Sequence, residues 1–413
     1  MMENFTPVVL LLLLLAAGCR MWLLSRQIAR VRVERHRVPD AFAGVVPLDA
    51  HQKASDYTVA HGRLAIVEAL LDVVLFIAVI WGGGLAYLDA WWRDQGLSGV
   101  WLGIAVIASL YLLVALAGWP LSLYRVFGVE ARFGFNRMTW RLYAADVLKG
   151  LLLGAVLGIP LLAAILALMH DGGDLWWLYA WLVWAGFSLT LAWAYPALIA
   201  PLFNRFLPIG DAALAQRIEA LIKRCGFASR GVFVMDGSRR SAHGNAYFTG
   251  LGAQKRIVLF DTLIERLSAA EVEAVLAHEL GHFRLRHVRK RLLLNLAAGL
   301  AALYVLAQLM RWPPFFVVLG GVEPSPHAAL VLFALVLPVV TFWLAPLAAA
   351  WSRRHEFEAD EFARRHSDAR ELAAALVKLY QDNATTLTPD ALYSAFFDSH
   401  PPATVRIARL KAT

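Results

Sequence analysis

The stretch from Ser268 to His282 reads SAAEVEAVLAHELGH. Ser268 and Glu271 have the spacing of a capping box, and Val272, Val275, Leu276 and Leu280 recur at helical intervals, so the segment predicts one real helix. Within it, His278-Glu279-Leu280-Gly281-His282 forms an H-E-x-x-H pattern. Residues four apart project from adjacent turns of a helix toward one point. His278 and His282 are therefore spaced to share a zinc ion, with Glu279 beside them to take a proton from bound water. The bland alternative is a surface helix carrying two solvated histidines, and the cap and apolar stripe weigh against it.

The surroundings of this helix are those of a membrane protein. The chain has 413 residues, of which 59% are hydrophobic, with a mean hydropathy of +0.57, whereas apolar residues make up nearer half of a soluble domain. Seven apolar stretches are about 20 residues or longer, enough to cross a bilayer as helices. They fall near 7 to 24, 66 to 90, 99 to 123, 147 to 169, 175 to 200, 292 to 321 and 327 to 350. The first also has a faint lipoprotein-like end at Leu15 to Cys19, but no Lys or Arg precedes it and Arg20 and Arg26 follow, which favours a retained helix.

Charge sets the expected orientation. The first and third loops carry twelve Lys and Arg residues, among them Arg26, Arg30, Lys53, Arg125 and Lys149, whereas the N-terminus and opposite loops carry two, Arg93 and Arg311. Positive loops stay in the cytosol, so the N-terminus is expected outside and the C-terminus inside. Trp91, Trp92, Trp176, Trp177 and Trp312 fall near the outer ends, where an interfacial aromatic belt belongs. Topology therefore accounts for the net charge of +8, and no basic and aromatic motif suggests a nucleic-acid partner. Cys19 and Cys225 form no C-x-x-C pair, so neither a disulfide framework nor a Cys-ligated metal site is implied.

The expected organisation is four segments. Residues 1–203 form a membrane domain of five spans, 204–290 a cytosolic metalloprotease segment, 291–351 spans six and seven, and 352–413 a cytosolic segment that completes the site. In 204–290, Asp211 is placed to cap a helix reaching about Cys225 and closed by Gly226. Short strands are expected over 231–235, 245–249 and 256–260.

Catalytic zinc commonly takes three protein ligands and leaves a fourth position for water, so a third ligand is needed. The His278 helix is expected to run on into span six, with about nine residues, roughly 13 Å, between His282 and the start of that span. Glu356 follows span seven by about six residues, roughly 9 Å, at similar depth. Glu356 and Asp360 share one helical face, one suited to bind zinc and the other to orient a histidine. His355, Glu358 and Glu361 lie close by, and spacing does not choose among them.

Several separated motifs together resemble the integral-membrane zinc CAAX prenyl proteases of type I, a gluzincin metallopeptidase family. His278 to His282 and Glu356 to Asp360, the latter preceded by Ser352-Arg353-Arg354, are similar to its zinc-site pair. Asn245 to Phe248 with Arg256 to Thr262 resembles its strand region, Ser399-His400-Pro401-Pro402 with Arg406 its C-terminal motif, and Glu130 with Phe133 to Asn136 its N-terminal domain. The resemblance spans nearly the whole chain. It implies a predominantly α, seven-helix membrane protein with a cytosolic α+β zincin-type domain, its helices enclosing an intramembrane chamber that hydropathy does not reveal.

The same resemblance implies one Zn2+ per chain held by His278, His282 and Glu356, with Glu279 as general base and Asp360 behind a ligand. It also implies that His400 and Arg406 line the catalytic site and that Asn245 and Ala246 belong to an edge strand pairing with the substrate backbone. Val405 departs from the acidic residue that usually precedes the C-terminal arginine, so the usual neighbour of Arg406 is missing.

The expected activity is peptide-bond hydrolysis on a peptide or prenylated protein substrate in the bilayer, in the inner membrane if the host is bacterial or the endoplasmic reticulum if eukaryotic. One alternative is a quality-control metalloprotease without prenyl specificity. A site-two intramembrane protease fits less well, because Arg284, Arg286, Arg289 and Lys290 crowd the motif and Asp236-Gly237 precedes it. A non-enzymatic transporter or scaffold would use Glu68, Asp72, Asp146 and Lys149 along an ion path.

Overall fold

The computed structural model describes residues 5–227, 231–249 and 256–411. The N-terminal half consists of α1 (Phe5–Glu34), α2 (Leu48–Ile80), α3 (Gly84–Asp94), α4 (Gly99–Leu123), α5 (Trp140–Asp171), α6 (Trp176–Ala194) and a short α7 (Ala200–Phe203). Widened, π-helical turns at Tyr124–Glu130 and Tyr195–Ile199 extend α4 and α6. Six described helices are long and apolar enough to cross a membrane, or seven if the bent pair α2–α3 counts as one span. Their burial is that of a bilayer protein. Leu102, Val106, Leu166 and Leu332 pack inside the bundle, while Leu112, Leu113, Val156 and Leu182 are exposed although equally apolar.

Three expected boundaries shift. The second span was expected from residue 66, but α2 begins at Leu48, well before the apolar stretch, and breaks at Trp81 to Gly83, where Gly83 takes φ 75° and the axes bend by 50°. Span six was expected to reach residue 321, but its helix ends at Met310, because Pro313 and Pro314 start a separate short helix. The H-E-x-x-H helix does not run on into span six. It stops at Arg284, and Arg286 adopts a left-handed φ of 60° before the next helix starts, so the continuous-helix rise fails for that side of the site.

The polar segment after α7 holds β1 (Phe206–Pro208), α8 (Ala212–Arg224), β2 (Val232–Met235), β3 (Ala246–Thr249), β4 (Arg256–Phe260), α9 (Asp261–Ile264) and α10 (Ala269–Arg284). The strands form one sheet in the order β1-β2-β4-β3, with β2 and β4 parallel and the outer pairs antiparallel. Strand β1 was not expected; three residues ending in proline carry no alternation to read. Asp211 caps α8 through the amides of Ala213 and Leu214, and Gly226 closes it at φ 59°. Ser268 and Glu271 form the full capping box of α10.

The chain continues through α11 (His287–Met310), α12 (Pro314–Val318), α13 (Pro326–Thr341), α14 (Ala345–His366), α15 (Ala369–Asp382), α16 (Ala391–Phe397) and α17 (Ala403–Lys411). Leu214, Ile218 and Leu221 of α8, Ile257 and Leu259 of β4, Val272 and Leu276 of α10, and Leu372 of α15 build the core beneath the site. Burying each such side chain contributes about 1.5–3 kcal/mol, enough to fix the face that α10 turns away from solvent.

Candidate metal centre

Helices α10 and α14 approach closely because Gly281 and Ala359 meet at their contact. A Cβ on Gly281 would lie 3.1 Å from Ala359 Cα and 3.2 Å from its carbonyl oxygen, so a larger residue there would push the helices apart. This closeness brings α14 against the two histidines of α10. His278 Nε2 and His282 Nε2 are 3.2 Å apart, His282 Nε2 lies 3.3 Å from Glu356 Oε1, and His278 Nε2 lies 3.5 Å from Glu356 Oε2. One atom from each residue falls within 4.8 Å of the others, a spacing that fits a metal ion.

The chemistry of the donor set agrees. Glu356 is 3% exposed, and its Oε2 is buried without a hydrogen-bond partner among the described residues, although His400 Nδ1 lies 2.8 Å away. A buried carboxylate oxygen left this way is costly unless a cation compensates it, and with Arg406 Nη1 no nearer than 3.5 Å a metal ion would complete it. Asp360, four residues on, faces the opposite ring atom: its Oδ1 is 2.9 Å from His278 Nδ1. The two carboxylates thus address different sides of the same imidazole.

Arg406 holds Asp360 in turn, its Nε and Nη2 donating to the two carboxylate oxygens at 2.7 Å each. The guanidinium is buried, and this pairing keeps it well above its ordinary pKa despite the burial. Val405 points away and is exposed, so the arginine finds its acid on α14 rather than beside it in sequence. Burial and the Arg406 charge oppose protonation of His278, yet Asp360 and Glu356 outweigh both and raise its pKa to about 9. His400 sits in the loop between α16 and α17. Arg353 of α14 ties that loop down, its guanidinium donating to the carbonyls of Ser394 and Asp398 at 3.0 and 2.8 Å.

Above the cluster runs β3, paired with β4 on one side and with no described strand on the other. Two adjoining cavities of about 160 and 330 Å³ share Asn245, Ala246, Glu279, Glu356 and His400. The smaller is lined by Leu263, Val275, Leu372, Leu376 and Leu379, and the larger by Tyr247, Phe283 and Val288. All nine site residues singled out from the sequence therefore belong to one centre: Arg406 and Asp360 as an ion pair behind His278, the others along the cleft.

The sequence did not single out Asn383 or His243, which brace the start of the edge strand. Asn383 accepts from the Gly244 amide at 3.1 Å and donates to its carbonyl at 3.2 Å, and His243 stacks on Phe135 beside Glu130. Only tertiary placement reveals them, since Asn383 follows α15 far along the chain. The groups considered for an ion path are engaged elsewhere: Glu68 with Arg125, Asp72 with Arg20, Asp146 with Arg240, and Lys149 with the Leu202 carbonyl.

Residues 208–413 match the family described as peptidase family M48, and residues 27–205 match the one described as CAAX prenyl protease N-terminal, five membrane helices. The chain is 34% identical to the CAAX prenyl protease 1 homolog of Oryza sativa subsp. japonica over 91% of its own length and 90% of the relative's. The chain belongs to peptidase family M48. The Homo sapiens CAAX prenyl protease 1 homolog is 30% identical, with 94% and 91% covered, and the Saccharomyces cerevisiae CAAX prenyl protease 1 is 31% identical, with 92% and 89% covered. The crystal structure of Saccharomyces mikatae Ste24p superposes with a TM-score of 0.91 at 27% identity, covering 98% of both chains. The protein is thus a multi-pass membrane metallopeptidase with a Ste24p-like fold, which accounts for both its α-helical bundle and its small mixed sheet.

Proposed function

We propose that this protein is a zinc endoprotease that cleaves the C-terminal tripeptide from prenylated CAAX-type proteins at the membrane. The observation that carries the reading is the convergence of His278, His282 and Glu356 beside Glu279, under an edge strand and within a chain similar throughout to CAAX prenyl proteases. The two Nε2 atoms lie 3.2 Å apart, and each has a different Glu356 oxygen close by, Oε1 at 3.3 Å from His282 and Oε2 at 3.5 Å from His278, so the three side chains would hold one small cation among them. One metal per chain fits this donor set.

A bound zinc supplies Lewis acidity, activating water and polarising the scissile carbonyl. Glu279 takes the water proton and passes it to the leaving amine. His400, exposed at the cleft, donates to the oxyanion as it forms, an interaction that elsewhere contributes about 3 kcal/mol. Asp360, fixed by Arg406, keeps His278 turned toward the metal. The substrate backbone pairs with Asn245 and Ala246 as an added strand, leaving its side chains in the two cavities.

Residues 1–203 and 291–351 then serve as the membrane body, with 204–290 and 352–413 forming the cytosolic catalytic unit. His61, Glu68 and Arg125 of the membrane helices line a cavity of about 320 Å³ that reaches Asn383, which supports an internal chamber opening toward the site. The test is mass spectrometry of products from a farnesylated CAAX peptide and its unlipidated form. Release of the tripeptide from the farnesylated peptide alone is expected; equal cleavage of both would favour a protease without prenyl specificity.

A further inference from the structure

We propose that His287 and Glu358 form a hydrogen-bonded chain that locks His282 in its metal-binding tautomer, which rests on the reading of His282 as a ligand. The ring of His282 has two nitrogens with different surroundings. Nε2 faces His278 and Glu356, whereas Nδ1 lies 3.0 Å from His287 Nδ1. A nitrogen that gives its lone pair to a metal leaves the ring proton on the other nitrogen. His282 Nδ1 must therefore donate, and His287 Nδ1 must accept.

That direction fixes the next group. A neutral His287 that accepts at Nδ1 carries its proton on Nε2, and Nε2 lies 3.0 Å from Glu358 Oε2. The other Glu358 oxygen accepts from Arg354 Nε at 3.0 Å. Each step has one consistent donor and one acceptor, from the ligand ring outward to a carboxylate that is one-third exposed. His287 itself is 1% exposed, and His355 stacks on it at 3.9 Å with rings 11° from parallel, which fixes its plane.

The backbone is built for this contact. On a continuous helix, residue 287 would lie five positions beyond 282, about 140° around the axis, and would point away from it. The left-handed Arg286 breaks the helix and returns His287 to His282. A non-glycine residue in that conformation is strained, so the surrounding contacts must hold it. His278 is backed by the Asp360 carboxylate and His282 by a neutral imidazole, giving each ligand ring its own acceptor while placing one fewer negative charge against the metal.

The same cluster has a competing assignment, because His287, His355 and Glu358 also offer ligand atoms within 4.8 Å of one another and His355 Nδ1 is buried without a described partner. A second metal there would take the His287 nitrogen that the chain requires to be protonated. Metal stoichiometry therefore separates the two.

The experiment measures zinc per chain and zinc affinity by chelator competition on the full-length protein in detergent, with thermal unfolding of the metal-free forms as a check on folding. His287→Ala is expected to weaken zinc binding by about 10 to 100-fold at one zinc per chain. His287→Asn, whose Oδ1 replaces the Nδ1 acceptor, should recover most of that loss, and Glu358→Gln should bind more tightly than Glu358→Leu. Should His287→Ala not fold, the Asn and Glu358 variants decide. Wild-type affinity in a folded His287→Ala protein, no difference between Glu358→Gln and Glu358→Leu, or two zinc ions falling to one in His287→Ala would overturn the proposal. His282→Ala is the control: retained zinc there would instead defeat the reading of the metal site itself.

Discussion

At the scale of residues, the two carboxylates of α14 show how four positions of sequence divide into two tasks. Glu356 reaches the Nε2 atoms of both histidines, and Asp360 reaches only Nδ1 of His278. A metal must displace the proton that His278 holds with a pKa of about 9, so metal affinity should fall about tenfold per pH unit between pH 9 and 7, measured by chelator competition. Because that pKa lies above the ordinary 6.5, the metal-free fold gains stability from this group below pH 6.5 and loses it as pH rises through about 9. Arg406→Ala should cost about 3 kcal/mol in unfolding experiments, the low end for breaking a buried ion pair, because the buried Asp360 loses the guanidinium but keeps His278 Nδ1 at 2.9 Å. An exposed pair such as Arg37 and Asp40 contributes at most about 1 kcal/mol. Both histidines and Glu279 were legible in sequence because a helix fixes their relations. The choice between Glu356 and Asp360 was not, since both share one face and only the depth of α14 against α10 separates them.

At the scale of elements, the tight crossing of α10 and α14 sets the spacing of His278, His282 and Glu356. Gly281→Val should lower both the melting temperature and metal affinity, because its side chain meets Ala359 backbone atoms at little more than 3 Å. Gly281→Ala, which adds the Cβ alone, should lose less of both than Gly281→Val, whereas equal losses in the two variants would show that crowding at the crossing is not the cause. Helix α8, the start of α10 and strands β2, β3 and β4 were readable to within a residue or two, with Asp211, Gly226, Ser268 and Glu271 punctuating the helices. The break before α11 was not. Neither glycine nor proline marks Leu285 and Arg286, and the contact between His287 and His282 that accompanies the break is one that sequence does not display.

At the scale of the whole molecule, the apolar runs were legible because a bilayer demands long uniform helices, whereas the 50° bend was missed although Gly82-Gly83-Gly84 stands at it and Gly83 takes φ 75°. The bias of basic residues predicts that α8 faces the cytosol and Asp174 the outside. With Cys19 and Cys225 changed to Ser, Asp174→Cys on intact cells should label with an impermeant thiol reagent and Glu219→Cys should not; the reverse pattern would invert the topology. The central claim, that His278, His282 and Glu356 hold a metal for which Glu279 is the base, is tested most directly by measuring metal per chain and peptide turnover together in two variants. Glu279→Gln is predicted to keep one metal per chain and lose turnover, and Glu356→Ala to lose the metal as well. Turnover in metal-loaded Glu279→Gln at the unmodified rate, or full metal content in Glu356→Ala, would contradict it.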